Sequence, residues 1–154
     1  MNEDIYKPSE SSLEKNSEGI NKTKMYSPTQ AALGTIGGPV GVVYFIMANY
    51  EALGQVDKKQ KTLFWGVVFI VALAIVLPFL PEDIPSGPFT LFYILIAYNV
   101  ANNYQMSKAA IIESNAHDFH SNWRVLGMGL LCLVASLVIL LTSAIGVIYL
   151  SGGL

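Results

Sequence analysis

The side chains in this sequence whose types and spacing could do chemistry fall into three sets. Asn99, Asn102 and Asn103 are spaced three and four apart, so on a helix their amides share one face, in line with Leu95 and Ile96. That stripe can act as a polar lining for a site between helices. It can equally bond neighbouring helices or headgroups near the end of a span, which is the commoner use of amides in membrane helices. In both cases the amides are expected to face other helices of the same protein, because exposing three of them to lipid costs more than pairing them. His117 and His120 flank Asp118 and are weak candidates for metal ligands on one helical turn. A zinc ion needs third and fourth ligands, and none stands at recognisable spacing, so no metal is expected. The third set is Gly34, Gly37, Gly38, Pro39 and Gly41, in which two overlapping G-x-x-x-G patterns flank a proline. Its chemistry is close backbone approach and a break in a helix, within the chain or along the seam of a homo-oligomer.

No paired carboxylates, nucleophile with a base, or metal cluster stands near either end of an apolar segment. The expectation is therefore no catalytic residue, no enzyme activity and no cofactor. The single Cys132 can form neither an intrachain disulfide nor a cysteine metal cluster.

These residues must be positioned by apolar helices. With 53% apolar and 13% charged residues, the 154-residue chain lies well outside the balance of a soluble domain. The expected fold is an all-α integral membrane protein, a bundle of three to four hydrophobic helices of which the first is broken at Gly37-Gly38-Pro39. A net charge of -2 gives no reason to expect nucleic acid as a partner. Residues 1–25 are expected to be a disordered polar tail, since five acidic residues mix with the lysines there, with no basic start leading into an apolar core as in a cleavable signal. Residues 26–154 then form one helical membrane domain.

The organising stretch runs from Tyr26 to Gly54. Ser27 can cap a helix with Pro28 at its first position, and Pro39 after a glycine pair can open a second. Asn49-Tyr50-Glu51 marks a return to the interface, and Gly54 ends the helix. Thr62 to Leu80 is the clearest span, anchored by Trp65 and stopped by Pro78 and Pro81. A third helix from Gly87 to Val100 is too short to cross unless Ala101 to Met106 also lies in or near the bilayer. The hydrophilic connection that follows carries an apolar patch, Ala109 to Ile112, suited to the membrane surface. Val125 to Leu150 is the second secure span, led by Trp123 and Arg124 at the interface. Inside it, Ser136, Thr142 and Ser143 are expected to bond preceding carbonyls.

Four lysines precede Tyr26, Lys58, Lys59 and Lys61 follow Gly54, no base lies between Pro81 and Pro88, and Lys108 and Arg124 lie in the last connection. Four simple crossings would divide these bases almost evenly and give no orientation. If the first segment enters and returns to the same face at Gly37-Gly38-Pro39, every base lies in the cytoplasm and three true spans remain. Each half of that segment is also shorter than the roughly 20 residues of a straight crossing. The re-entrant hairpin is the preferred expectation, and a single kinked crossing is its competitor.

The patterns YSPxQxALxTxxGGP over Tyr26 to Pro39, NYxALG over Asn49 to Gly54 and SNWRVxGxGL over Ser121 to Leu130 resemble a family of small uncharacterised bacterial integral membrane proteins. The resemblance implies a bacterial cytoplasmic (inner) membrane and brings no activity or site with it. The residues themselves suggest a non-enzymatic assembly, anchoring or regulatory subunit in the lipid bilayer, with a membrane-protein partner or a second copy, because no ionisable group lies inside the apolar segments. The alternative is a small channel or transporter for an ion or polar solute, suggested by a broken helix beside an asparagine stripe.

Overall fold

A computed structural model of the chain describes residues 22–81, 85 and 87–150. The expected tail up to residue 21 and half of the Pro81 to Pro88 loop lie outside the described residues. The end of that tail does not fit the expectation, because Thr23–Met25 form a strand, β1.

Ser27 caps α1 (Pro28–Gly34). Its hydroxyl accepts the Gln30 N–H at 3.2 Å while Gln30 Oε1 accepts the Ser27 N–H at 3.1 Å, and Pro28 opens the first turn. A single 3-10 turn, Thr35–Gly37, leads into α2 (Gly38–Ala52). Gly54 ends α2 with φ 66°, its N–H donating to Glu51 O at 3.0 Å and the next N–H to Tyr50 O at 2.9 Å. That is a left-handed cap, which a side chain would strain.

Pro28–Ala52 is long and apolar enough to cross a membrane, but its backbone doubles back. The Tyr26 N–H donates to Asn49 Oδ1 at 2.7 Å, whereas a continuous helix would set those residues more than about 30 Å apart. The reversal is at Gly38, whose φ of 78° no other residue type takes cheaply. From Asn49 to this tip α2 reaches about 16 Å, roughly half the hydrocarbon thickness of a bilayer.

The remaining helices surround the hairpin. α3 (Val56–Val76, extended by a 3-10 turn to Phe79) leaves from the end where Tyr26 and Asn49 meet. α4 (Gly87–Val100) returns antiparallel to it: Phe89 lies beside Leu73 at the far end, and Gln105 bonds Ile46 O at the near end. Its continuation through Ala101–Gln105 is a π-helical turn, so Gly87–Gln105 covers about 28 Å although α4 alone is short. At the near end follow α5 (Lys108–Glu113) and β2 (His117–Phe119), which pairs in parallel with β1 in the register Thr23↔His117, Lys24↔Asp118, Met25↔Phe119. His117 to Phe119 is thus a strand, not a turn of helix on which the two histidines could have met a metal. α6 (Asn122–Leu150) then runs the full depth of the bundle.

The core is α2. Val42, Ile46 and Tyr50 pack against Tyr93 of α4 and Phe69 and Leu73 of α3. On the other side Tyr26, Ala31 and Phe45 pack against Val125 of α6 and Ala101. The fold is mainly helical. The segments Pro28–Ala52, Val56–Phe79 and Asn122–Leu150 have the length and composition of membrane spans, which supports a membrane protein.

Candidate functional site

Two polar constructions hold the hairpin, one at its open end and one at its tip. At the open end the Asn49 side chain, fully buried, bonds the backbone of Tyr26 from both sides. Its Oδ1 accepts the Tyr26 N–H, and its Nδ2 donates to Tyr26 O at 2.8 Å and to Gln105 Oε1 at 2.9 Å. Gln105 Nε2 passes on to Ile46 O at 2.8 Å. Gln30 Nε2 donates to His120 O at 2.8 Å and to Asn122 Oδ1 at 2.9 Å, tying α1 to the start of α6. Every donor and acceptor of the Asn49 amide is therefore used, as burial requires.

At the tip, the reversal frees backbone groups that a helix would pair. Ser136 of α6 supplies the partner: its hydroxyl donates to Gly37 O at 2.8 Å and accepts the Val40 N–H at 3.4 Å. This corrects the expectation that Ser136 bonds its own helix. Thr142 does so, to Val138 O and Ile139 O, while Ser143 donates across to Ala74 O in α3.

The glycine set lies at the hairpin's closest contacts. A Cβ on Gly34 would stand 2.1 Å from the Phe45 ring, one on Gly41 2.7 Å from Gly34 O, and one on Gly37 2.5 Å from Gly129 O. On Gly38 it would meet Ser136 Oγ at 2.9 Å. Pro39 is buried in the first turn of α2. These four glycines and Pro39 are brought together in one place.

The asparagine stripe is not where packing would need it. Asn99 Nδ2 donates to Leu95 O at 2.8 Å, Asn102 Nδ2 to Asn103 Oδ1 at 3.1 Å, and Asn103 Nδ2 to Asn99 Oδ1 at 3.5 Å. Asn99 and Asn103 are exposed and Asn102 half-buried. The expectation that the stripe faces other helices is thus overturned, because the amides satisfy one another along α4 itself. The amides that do join elements are Gln30, Asn49 and Gln105, of which Asn49 was expected only to mark a return to the interface.

His117 and His120 are separated by their engagements. His117 Nδ1 lies 3.2 Å from Ser114 Oγ, and the His120 ring stacks on Tyr26 at 4.4 Å. The Ser114 hydroxyl already accepts the His117 N–H at 3.1 Å, and Asp118 Oδ1 accepts the Phe119 N–H at 2.7 Å, so these three do not line up as nucleophile, base and orienting acid. Among the described residues no three His, Cys, Asp or Glu side chains gather as metal ligands. Burial, and then the charges of Arg124 and Lys24, push the His120 imidazole below its ordinary 6.5. Cys132 is buried, with its Cβ beside Gly37. Comparison with protein families, curated proteins and solved structures finds no match to this chain.

Proposed function

We propose that this chain is a small multi-pass membrane protein that assembles with, anchors or regulates a partner in the membrane, with α1–α2 re-entering from the cytoplasmic face and α3, α4 and α6 crossing. The observation that carries this reading is the sealed hairpin tip. A half-helix end that served a permeating ion would leave its backbone groups facing a wet path. Here Gly37 O and the Val40 N–H are taken by Ser136, and Gly37 abuts Gly129. Supporting the orientation, Lys22, Lys24, Lys58, Lys59, Lys61, Lys108 and Arg124 all belong to segments at the open end of the hairpin, the pattern of a cytoplasmic face.

Two measurements test the reading. Affinity capture from native membranes is expected to recover a stoichiometric membrane-protein partner, and proteoliposomes holding the purified chain are expected to give no solute flux above empty vesicles. Flux without a partner would replace this reading with a channel or transporter. For the topology, single thiols at Lys22 and Lys58 in a Cys132→Ser background should both require a membrane-permeant reagent in intact cells, while one at Ser86 should react with an impermeant one. Opposite accessibility of positions 22 and 58 would restore a first segment that crosses.

A further inference from the structure

Above the hairpin's open end, β1, α2 and the start of α6 enclose a cavity of about 280 Å³ lined by Lys24, Tyr26, Tyr44, Glu51, His120 and Arg124 among others. Its charges do not cancel. The Glu51 carboxylate is held by Lys59 Nζ at 2.8 Å. Asp118 stands in register with Lys24 but turns Oδ1 onto the Phe119 N–H. Among the described residues neither Lys24 nor Arg124 forms an ion pair, so two permanent cations line this cavity beside a single carboxylate, Glu51, that is already paired with Lys59. Their field is felt inside it, since both lower the proton affinity of His120.

The geometry also preorganises one of them. Arg124 Nε donates to the Tyr26 hydroxyl at 3.3 Å, and Tyr44 lines the same cavity. With Nε held, the plane of the guanidinium is set and its terminal amino groups can meet two oxygens of one anion. The neighbouring Trp123, 81% exposed at the start of α6, puts the cavity at the level where an interfacial anchor meets headgroups.

We propose that this cavity is a phosphate-binding site at the membrane surface, in which Arg124 and Lys24 are the cationic contacts and Tyr44 is the neutral donor. The phosphate can come from an anionic phospholipid headgroup or from solution. A volume near the lower edge of ligand pockets, about 300 Å³, suits a phosphodiester with little attached to it.

The test is native mass spectrometry of the full chain in detergent, titrated with phosphatidylglycerol and, separately, phosphatidylcholine, together with thermal shifts in inorganic phosphate. Preferential binding of phosphatidylglycerol is expected. Arg124→Gln or Lys24→Gln should weaken it about tenfold, as loss of one charge-assisted contact does. The double change Lys58→Gln with Lys61→Gln, outside the cavity, should weaken it less than about twofold. Lys24 is exposed and its side chain spans no packed interface, so Lys24→Gln reads binding even if Arg124→Gln fails to fold. Stabilisation by inorganic phosphate that Lys24→Gln abolishes would assign the site to free phosphate; binding of the lipid alone would assign it to headgroups. Equal binding of the two lipids with no response to phosphate, or equal losses from the cavity and control substitutions, would overturn the proposal.

Discussion

The hairpin and the long outer helices are all apolar enough to enter a membrane, yet they are built on opposite principles. The most apolar window of Pro28–Ala52 is 61% buried, while the corresponding windows of Val56–Phe79 and Asn122–Leu150 are 0% and 11% buried. The outer helices turn Phe64, Val68, Leu130, Leu141 and Ile145 outward, where on the proposed reading lipid tails would solvate them as well as protein does. The hairpin has no such cover. On the proposed topology it reverses at half depth, so its backbone must be paired by side chains of its neighbours, and its small residues must let those neighbours come close. On this reading stability is concentrated in a few polar and glycine contacts, and the broad apolar surfaces are of the kind that lipid can cover.

Substituting at the reversal should break this contrast most severely. Gly38→Leu meets both a positive φ and Ser136, and is expected to cost several kcal/mol, on the order of 3–5, with little folded protein recovered from detergent. Gly146→Leu, where a Cβ would meet nothing within 4 Å, should purify at wild-type yield. Equal yields would mean that the hairpin is not the sensitive region.

The Asn49 lock comes next. Asn49→Ala leaves the Tyr26 backbone and Gln105 Oε1 without these partners and is expected to cost about 2–4 kcal/mol, read as a lowered melting temperature. The same change at Asn99 should stay within about 0.5 kcal/mol, because that amide bonds only its own helix and Asn103. A larger loss at Asn99 would mean that the exposed stripe is covered in the assembled protein.

Ser136→Ala should be milder, about 1–2 kcal/mol, since it strips one hydroxyl from the tip but leaves the packing. Thr142→Ser is the matched control, keeping a hydroxyl on its own helix and expected to be neutral.

The smallest effect should be that of pH. Because His120 is held below 6.5 in the fold, the unfolded chain takes up its proton first. Its contribution is therefore complete above that value and is lost as pH falls through the folded pKa. Melting curves taken from about pH 7.5 down to about pH 5.5 should slope downward in the wild type and less steeply in His120→Gln. Parallel slopes would remove His120 from the account.

Local chemistry in the sequence was enough to indicate several of these features. The Ser27-Pro28 start, the glycine-proline break, the Gly54 stop and the need of the third helix for a polar continuation all follow from backbone preferences of the residues on the spot. The partners of the amides do not. Asn49 and Asn99 stand alike in apolar helices, and membrane helices are apolar all round, so periodicity cannot tell a face packed on protein from a face turned to lipid. The strands were hidden for another reason. Thr23–Met25 and His117–Phe119 are too short to show alternation, and only the folded chain brings them side by side.

The seal on the hairpin tip also sets an order of events. A chain is synthesised from its N-terminus, so Gly37 reaches the membrane long before Ser136 exists to bond it, and β1 emerges before β2. Until α6 arrives, the hairpin has open backbone at its turn and no second strand to hold its entrance. On the proposed topology its insertion is therefore provisional, and a nascent chain released before α6 is complete should be a natural substrate for membrane quality control, however faithfully the hairpin itself has been made.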